Sequence, residues 1–257
     1  MLLQQLEVVA RLERMSREPM QSAHFTPAAG YSALTPVYDL AIRLLTRERR
    51  WREELIEQIA PKDGQAILDV GCGTGTLAIL LKHRAPGARI VGLDPDPEVL
   101  ARAAAKARQA QVEVEWHRGL AMDSTRFGKF DHVVSTLVFH QVSPAGKVAG
   151  LQAMFEAARP GGTVHVADYC QQPDWLMRQL FRIIQAIDGR TNTQANADGA
   201  VETILACLAG KVLAPRRVMR TPTGAISLFH VTPSSKKARR HNKRSNEKVA
   251  AVGSKDD

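Results

Sequence analysis

The sequence contains no run of about eighteen apolar residues, so it offers no candidate membrane-spanning helix. Cysteine is scarce and scattered: Cys72, Cys170 and Cys207 form neither an even disulfide framework nor a CxxC pair. That excludes a disulfide-stapled scaffold, implies no metal by spacing, and points to a reducing, cytoplasmic setting. The first twenty residues lack the apolar stretch of a secretory signal, and Glu7, Glu13 and Glu18 among Arg11, Arg14 and Arg17 are unlike an acid-poor transit peptide. Nor is there a broad basic surface. The formal net charge is +9, but residues 234–257 hold eight basic residues against three acidic ones, +5 of that total. This tail has no aromatic residue and no apolar periodicity, so it is expected to be disordered. The rest of the chain shows no nucleic-acid footprint, and contact with RNA or an anionic surface is expected only of the tail.

What is present suits one hydrophobic core: 257 residues, 44% hydrophobic and 24% charged. Leu2, Leu3, Leu6, Val9 and Leu12 recur at helical spacing until Pro19, which marks residues 1–30 as a peripheral arm. Val37, Leu40, Leu44, Leu45, Trp51, Leu55 and Ile59 predict two short helices around a charged break at 47–50. From Gln65 onward strands and helices alternate. Strands are predicted at 66–70, 89–93, 112–116, 131–136 and 163–168, with helices at 76–82, 97–109 and 144–158. That alternation implies a doubly wound, mostly parallel sheet. After Asp168 the rhythm breaks. Two helices, 175–187 and 200–208, joined by the polar stretch 188–199, form an insertion over 171–210, and two β-rich pieces, 212–220 and 225–231, flank the turn Thr221-Pro222-Thr223-Gly224. The main domain is placed at 31–233.

The strongest local signal is Ile67-Leu68-Asp69-Val70-Gly71-Cys72-Gly73-Thr74-Gly75, an apolar strand running into a Gly-x-Gly-x-Gly turn before a helix. Glycine is required where the backbone turns tightly against a ligand, and the helix start behind it presents unpaired N–H groups. A second strand ends at Asp94, nineteen residues beyond Gly75, where a carboxylate can accept from two ribose hydroxyls. Together these mark a nucleoside site. Dinucleotide sites usually need a third glycine at the position held here by Thr76, so the NAD fingerprint is broken.

Residues 68–77, Asp94, Phe130-Asp131-His132-Val133-Val134-Ser135 and Arg159-Pro160-Gly161-Gly162 resemble the class I S-adenosylmethionine-dependent methyltransferases. The resemblance covers about 31–231. Tyr38-Asp39, Asp168, Asp188-Gly189 and 221–224 look like the branch that includes quinone-biosynthesis and other small-molecule methyltransferases. It implies a seven-stranded Rossmann-like α/β sheet with an antiparallel C-terminal strand and a helical lid insertion. It further implies S-adenosyl-L-methionine as cofactor, with Gly71, Gly73 and Gly75 cradling its methionine part, Asp69 orienting the ammonium, Asp94 holding the ribose and Pro95 lying along the adenine. Ser135 and Thr136 would line the approach to the methyl group, and Tyr31, Tyr38, Asp168 and Tyr169 would face the acceptor. Where many relatives have an Asp for the adenine amino group this chain has Leu120, so that contact falls to backbone, to Asp123 or to nothing.

Methyl transfer from a sulfonium needs alignment and exclusion of water more than a base. If the nucleophile must lose a proton, His140, just past the fourth strand, is the candidate general base, and it can equally be a capping or packing histidine. The resemblance often carries a second histidine where Gln141 stands. The Asn/Asp-Pro-Pro-Tyr/Phe loop that clamps a flipped base is absent after Ser135, which disfavours nucleic-acid methylation. The reading is therefore methyl transfer to a small, partly apolar acceptor. The alternatives are a nicotinamide-dependent oxidoreductase and a catalytically silent binding protein that contacts RNA through its basic tail. With no apolar face to dock, the tail is dispensable: a chain ending at Ser234 is expected to keep its melting temperature and cofactor affinity, measured by thermal unfolding and calorimetry.

Overall fold

The apolar runs around the glycine turn are strands buried on both faces, as parallel strands covered by helices on either side must be. The computed structural model describes residues 48–233, so the 1–30 arm, Tyr31, Tyr38 and the 234–257 tail lie outside the described residues. Within them α1 (Glu48–Ile59) precedes β1 (Ala66–Val70), α2 (Thr76–Arg84), β2 (Arg89–Asp94), α3 (Pro97–Gln109) and β3 (Glu115–Arg118). A 3₁₀ segment, Ala121–Phe127, leads to β4 (Phe130–Thr136), α4 (Pro144–Ala157), β5 (Ala158–Tyr169), α5 (Trp175–Asp188), α6 (Arg190–Ala197), α7 (Ala200–Ala209), β6 (Arg217–Thr221) and β7 (Gly224–Val231).

The seven strands form one sheet in the order β3-β2-β1-β4-β5-β7-β6. Neighbours from β3 to β5 are parallel, and β7 runs antiparallel to both β5 and β6. This is the doubly wound sheet with one reversed C-terminal strand expected from the sequence. Strand order reverses between β1 and β4, and a ligand crevice opens at the carboxyl ends of the strands at such a point.

Because side chains alternate across a strand, each strand feeds two cores. Leu68, Val91, Val133, Val164 and Phe229 pack on one face with Leu151, Met154 and Phe155 of α4 and Val201, Ile204 and Leu205 of α7. Ile67, Ile90, Val134, Ala167 and Ile226 pack on the other with Trp51, Leu55 and Ile59 of α1, Leu77 and Leu81 of α2, and Phe181 and Ile184 of α5. The segment expected as a lid thus divides: α7 belongs to a core layer. Helix α6 occupies the stretch read as a polar connector, and polar contacts explain why it has no apolar stripe. Thr193 Oγ1 donates to Gly189 O, Asn192 Nδ2 to Gln141 O, and Asn196 Nδ2 to Tyr169 O. Strand β3 starts three residues later than the expected 112. The 3₁₀ segment after it had no periodic signal and is held by Ser124 Oγ donating to Ala121 O and by the Leu120 N–H donating to Asp123.

Across β4, β5 and α1 a chain of side chains has one direction of donation that satisfies every member. Gln58 Nε2 donates to His165 Nδ1 (3.0 Å), His165 Nε2 to the Thr163 hydroxyl (2.8 Å), that hydroxyl to His132 Nδ1 (2.7 Å), and His132 Nε2 to Gln65 Oε1 (3.3 Å). Both imidazoles are neutral in this arrangement. Burial first, and the neighbouring His230 second, hold His165 well below the usual histidine range, and burial also lowers His132 despite Asp131. At these two rings the unfolded chain therefore takes up protons near pH 6.5 that the folded chain resists, so their contribution to stability is full above that pH and is lost as pH falls below it. In thermal unfolding at pH 7.5, 6.5 and 5.5 the wild-type midpoint is expected to fall relative to that of His165→Gln as pH decreases, a difference in which groups common to both proteins cancel.

Candidate active site

Strand β1 delivers Asp69 and then a turn whose three glycines all have positive φ: 69° at Gly71, 53° at Gly73 and 74° at Gly75. The reasons differ. A methyl group at Gly71 would lie 2.2 Å from Val138 Cγ2, and one at Gly75 would lie 2.5 Å from Trp116 Cη2, so both are pressed by protein. At Gly73 a methyl group would meet nothing within 4 Å, and the chain there faces open space. The turn is pinned to β2: the Gly71 and Cys72 N–H groups donate to Leu93 O, and the Gly73 N–H to Asp94 Oδ2 at 2.9 Å. Asp94 Oδ1 accepts from the Asp96 N–H, and Asp96 in turn caps α3 by accepting from the Glu98 and Val99 N–H groups. Helix α2 follows Gly75 with no side-chain cap on its first N–H groups, and the Ala78 N–H among them is turned toward Asp69.

Two polar side chains in the crevice stand out because they lack partners. Asp69 is fully buried and neither carboxylate oxygen has a hydrogen-bond partner; Ser135 Oγ, on the neighbouring strand, is likewise buried and unpaired. Burial pushes the Asp69 carboxyl up to about 7, with Arg52 and the nearby Ala78 N–H of α2 opposing and Asp94 adding to the rise. A buried, unpaired carboxylate costs several kcal/mol, on the order of that of a lost charge-assisted bond or more. Its presence beside an open glycine turn fits a ligand that brings a cation or donors to it.

On the other side of the crevice the loop after β4 is held from below. Leu137 has φ 54°, a region that side chains rarely adopt. The next two N–H groups, of Val138 and Phe139, donate to Asp168 Oδ2 at 3.1 and 2.6 Å, and Asp168 Oδ1 takes His140 Nδ1 and the Tyr169 N–H, both at 2.7 Å. His140 Nε2 lies 3.3 Å from Asp188 Oδ2 at the end of α5. Burial disfavours the charged ring, yet the two carboxylates outweigh it and hold its pKa up at about 9. Lys147 of α4 is also buried, donating to Val142 O and Asn192 O, and burial lowers its pKa to about 8.

These contacts correct three expectations. His140 is not placed as a general base, because it is a cation near neutral pH and both ring nitrogens already face carboxylates. Asp168 is 1% exposed and its oxygens are committed to the loop, so it does not face an acceptor. Tyr169, 2% exposed, is turned inward with its hydroxyl on Thr223 Oγ1 at 2.6 Å. Thr136 ends β4, Pro95 follows β2 and Leu120 follows β3, and all three are half-buried. Asp123 is taken up by the Leu120 N–H and by Arg126, so it is not free to stand in for the missing adenine-side carboxylate. Sequence reasoning missed Val138 and Trp116, the side chains that force glycine at 71 and 75, and Asp188 as the partner of His140. The Asp188-Gly189 pair was the one visible signal.

A family model described as "Methyltransferase domain" matches residues 67–162. The demethylmenaquinone methyltransferase of Thermus thermophilus is 34% identical over 159 residues, which cover 60% of this chain and 70% of that protein. The chain belongs to the class I S-adenosylmethionine-dependent methyltransferases. Other relatives are a ubiquinone/menaquinone biosynthesis C-methyltransferase of Cereibacter sphaeroides, 27% identical over 59% of this chain and 62% of that one, and the chloroplastic 2-phytyl-1,4-beta-naphthoquinone methyltransferase of Arabidopsis thaliana, 29% identical over 54% and 56%. Among solved structures, magnesium protoporphyrin IX methyltransferase from Synechocystis with bound SAH superposes with a TM-score of 0.58 at 16% identity, over 76% of this chain and 87% of that one, a likeness of fold. S-adenosylmethionine is therefore the cofactor of this methyltransferase, and the nicotinamide alternative falls.

The contrast between the glycines is testable. Gly73→Ala bears only the backbone cost of a side chain at φ 53°, about 1–2 kcal/mol of stability, and is expected to bind S-adenosylmethionine at least about ten-fold more weakly, about 1.4 kcal/mol, because its methyl group enters the ligand space. Gly71→Ala bears the same backbone cost at φ 69° and meets Val138 as well, so it is expected to lose about 2–5 kcal/mol of stability. Calorimetric titration and denaturant unfolding of both variants read the two effects separately.

Proposed function

We propose that this methyltransferase transfers the methyl group to a ring carbon of a demethylated, lipid-tailed quinone in its reduced form. The observation that carries the reading is the 34% identity to a demethylmenaquinone methyltransferase, with two further quinone-named relatives behind it. Helix α5 supports an apolar acceptor: Trp175, Leu176, Ile183 and Ile187 are exposed, and its last residue, Asp188, meets the buried His140 of the loop after β4. Three free cysteines and the lack, among the described residues, of any helix long and apolar enough to cross a membrane suit a cytoplasmic enzyme that meets its acceptor at a surface.

The roles follow from chemistry and geometry. S-adenosylmethionine, when bound, supplies a methyl group on a positively charged sulfur. The Gly71–Gly73–Gly75 turn and the uncapped N–H groups of α2 suit its amino-acid part, Asp69 its ammonium, Asp94 its ribose hydroxyls and Pro95 its adenine face. Ser135 Oγ and Thr136 border the approach to the methyl carbon. An oxidised quinone is electron-poor, whereas a reduced ring bearing an ionised hydroxyl is nucleophilic at carbon. With S-adenosylmethionine bound, its carbon–sulfur bond would break as the bond to the ring carbon forms, and the ring carbon's proton would pass to solvent once the site opens. Alignment and water exclusion dominate, and no side-chain base is required.

Incubating the protein with labelled S-adenosylmethionine and reduced demethylmenaquinone is expected to give a product one methyl group heavier, with the label on ring carbon. The oxidised quinone is expected to give none. Methylation of a non-quinone hydroxyl or amine in preference would overturn the acceptor class.

A further inference from the structure

We infer that Asp188, at the last turn of α5, is a positioning residue that acts through His140 to set the loop after β4 against the cofactor turn, so that the acceptor side and the cofactor side of the crevice are mechanically joined. The inference rests on the methyl-transfer reading above for its kinetic consequences and on geometry alone for the joint itself.

The joint can be followed atom by atom. Asp188 Oδ2 faces His140 Nε2 at 3.3 Å, and His140 Nδ1 donates to Asp168 Oδ1 at 2.7 Å. Asp168 holds the Val138 and Phe139 N–H groups with its other oxygen and thereby keeps Leu137 at φ 54°. Val138 then packs so close to Gly71 that no β-carbon fits between them. A displacement of the end of α5 is therefore felt at the first glycine of the cofactor turn through four consecutive contacts. The charged links are buried or nearly so, the His140, Asp168 and Asp188 side chains being 4%, 1% and 12% exposed, while Val138 and Gly71 at the far end are half-buried. Burial matters because a charged link in a low-dielectric interior keeps its strength and its geometry, whereas the same link at the surface is loosened by water and salt.

The link needs charge. With one anion on each side, the ring serves both carboxylates only while both nitrogens carry protons; a neutral ring leaves one carboxylate facing a lone pair. The groups that face it are Asp168 and the Tyr169 ring edge from β5 (5.3 Å between centroids), Asp188 from α5 and, beyond Asp168, the ammonium of Lys147 from α4. A positioning role and a general-base role for His140 thus predict opposite pH behaviour. A base works deprotonated and gives activity that rises with pH through the histidine pKa. The joint works protonated and gives activity that falls as pH rises through about 9.

The test compares wild type with Asp188→Asn, which keeps size and one acceptor oxygen while removing the charge. With reduced demethylmenaquinone, kcat is expected to fall ten-fold or more, S-adenosylmethionine affinity to stay within about three-fold, and the alkaline limb of the kcat profile to move to lower pH. Lys147→Met is expected to retain the limb near 9, which separates the histidine from the lysine. Independent of any acceptor, NMR titration is expected to show the His140 ring and the Gly71 amide moving together with one raised pKa, and that pKa dropping in Asp188→Asn. A His140 ring that titrates near 6.5, a Gly71 amide indifferent to it, or kcat and its alkaline limb unchanged in Asp188→Asn would overturn the inference. Absence of methylation by wild type with an intact NMR coupling would overturn the acceptor assignment and leave the joint standing.

Discussion

A single buried carboxylate organises the acceptor side of this enzyme. Asp168 ends β5 next to β4 and accepts from three backbone N–H groups and one imidazole. Charge-assisted bonds of this kind are roughly twice as strong as neutral ones, and four converging on one group in a dry interior leave it little freedom. The strained turn at Leu137, the entry of Val138 against Gly71 and the inward position of His140 all depend on it. Replacing it with an apolar residue would leave three N–H groups and a cationic ring without a partner, which is why the site tolerates a full negative charge in the core.

The cofactor side shows the opposite condition. Asp69 and Ser135 are equally buried, yet their oxygens are unpaired, and the space over Gly73 is open. Buried polar groups in folded proteins are normally satisfied, so an unsatisfied carboxylate and hydroxyl on adjacent strands beside an open glycine turn mark where a ligand completes the structure. Two carboxylates one strand apart thus have different duties that burial alone does not separate. Asp168 is closed by the protein, and Asp69 waits for donors from outside.

The helices after β5 differ in what holds them. Helix α7 is fixed by apolar contact under the sheet, while α5 carries one face into the core and leaves Trp175, Leu176, Ile183 and Ile187 exposed. Between them α6 is tied by side-chain amides to the loop after β4 and to Tyr169 O. Directional polar contacts are sensitive to small displacements in a way that apolar packing is not, so this region transmits position as well as covering the crevice.

Read from residues alone, the chain already specifies the strand–glycine turn–helix unit, the carboxylate ending β2, the doubly wound class of sheet and the family resemblance, because these depend on short-range pattern: short apolar strand runs alternating with helical periodicity, glycine where φ is positive, proline and glycine at helix ends. Polar packing was not legible. Helix α6 has no apolar stripe to announce it, Asp123 looked like a spare carboxylate until its N–H partner was placed, and Asp168 and Tyr169 stood at the right strand end for ligand contact although both turn inward. His140 shows the limit most clearly. Its position after β4 suggests a base, but its protonation is decided by Asp168 and by Asp188, twenty-eight and forty-eight residues away along the chain. The charge state of a buried group depends on what the fold sets within a few ångströms of it, and only the tertiary structure decides that.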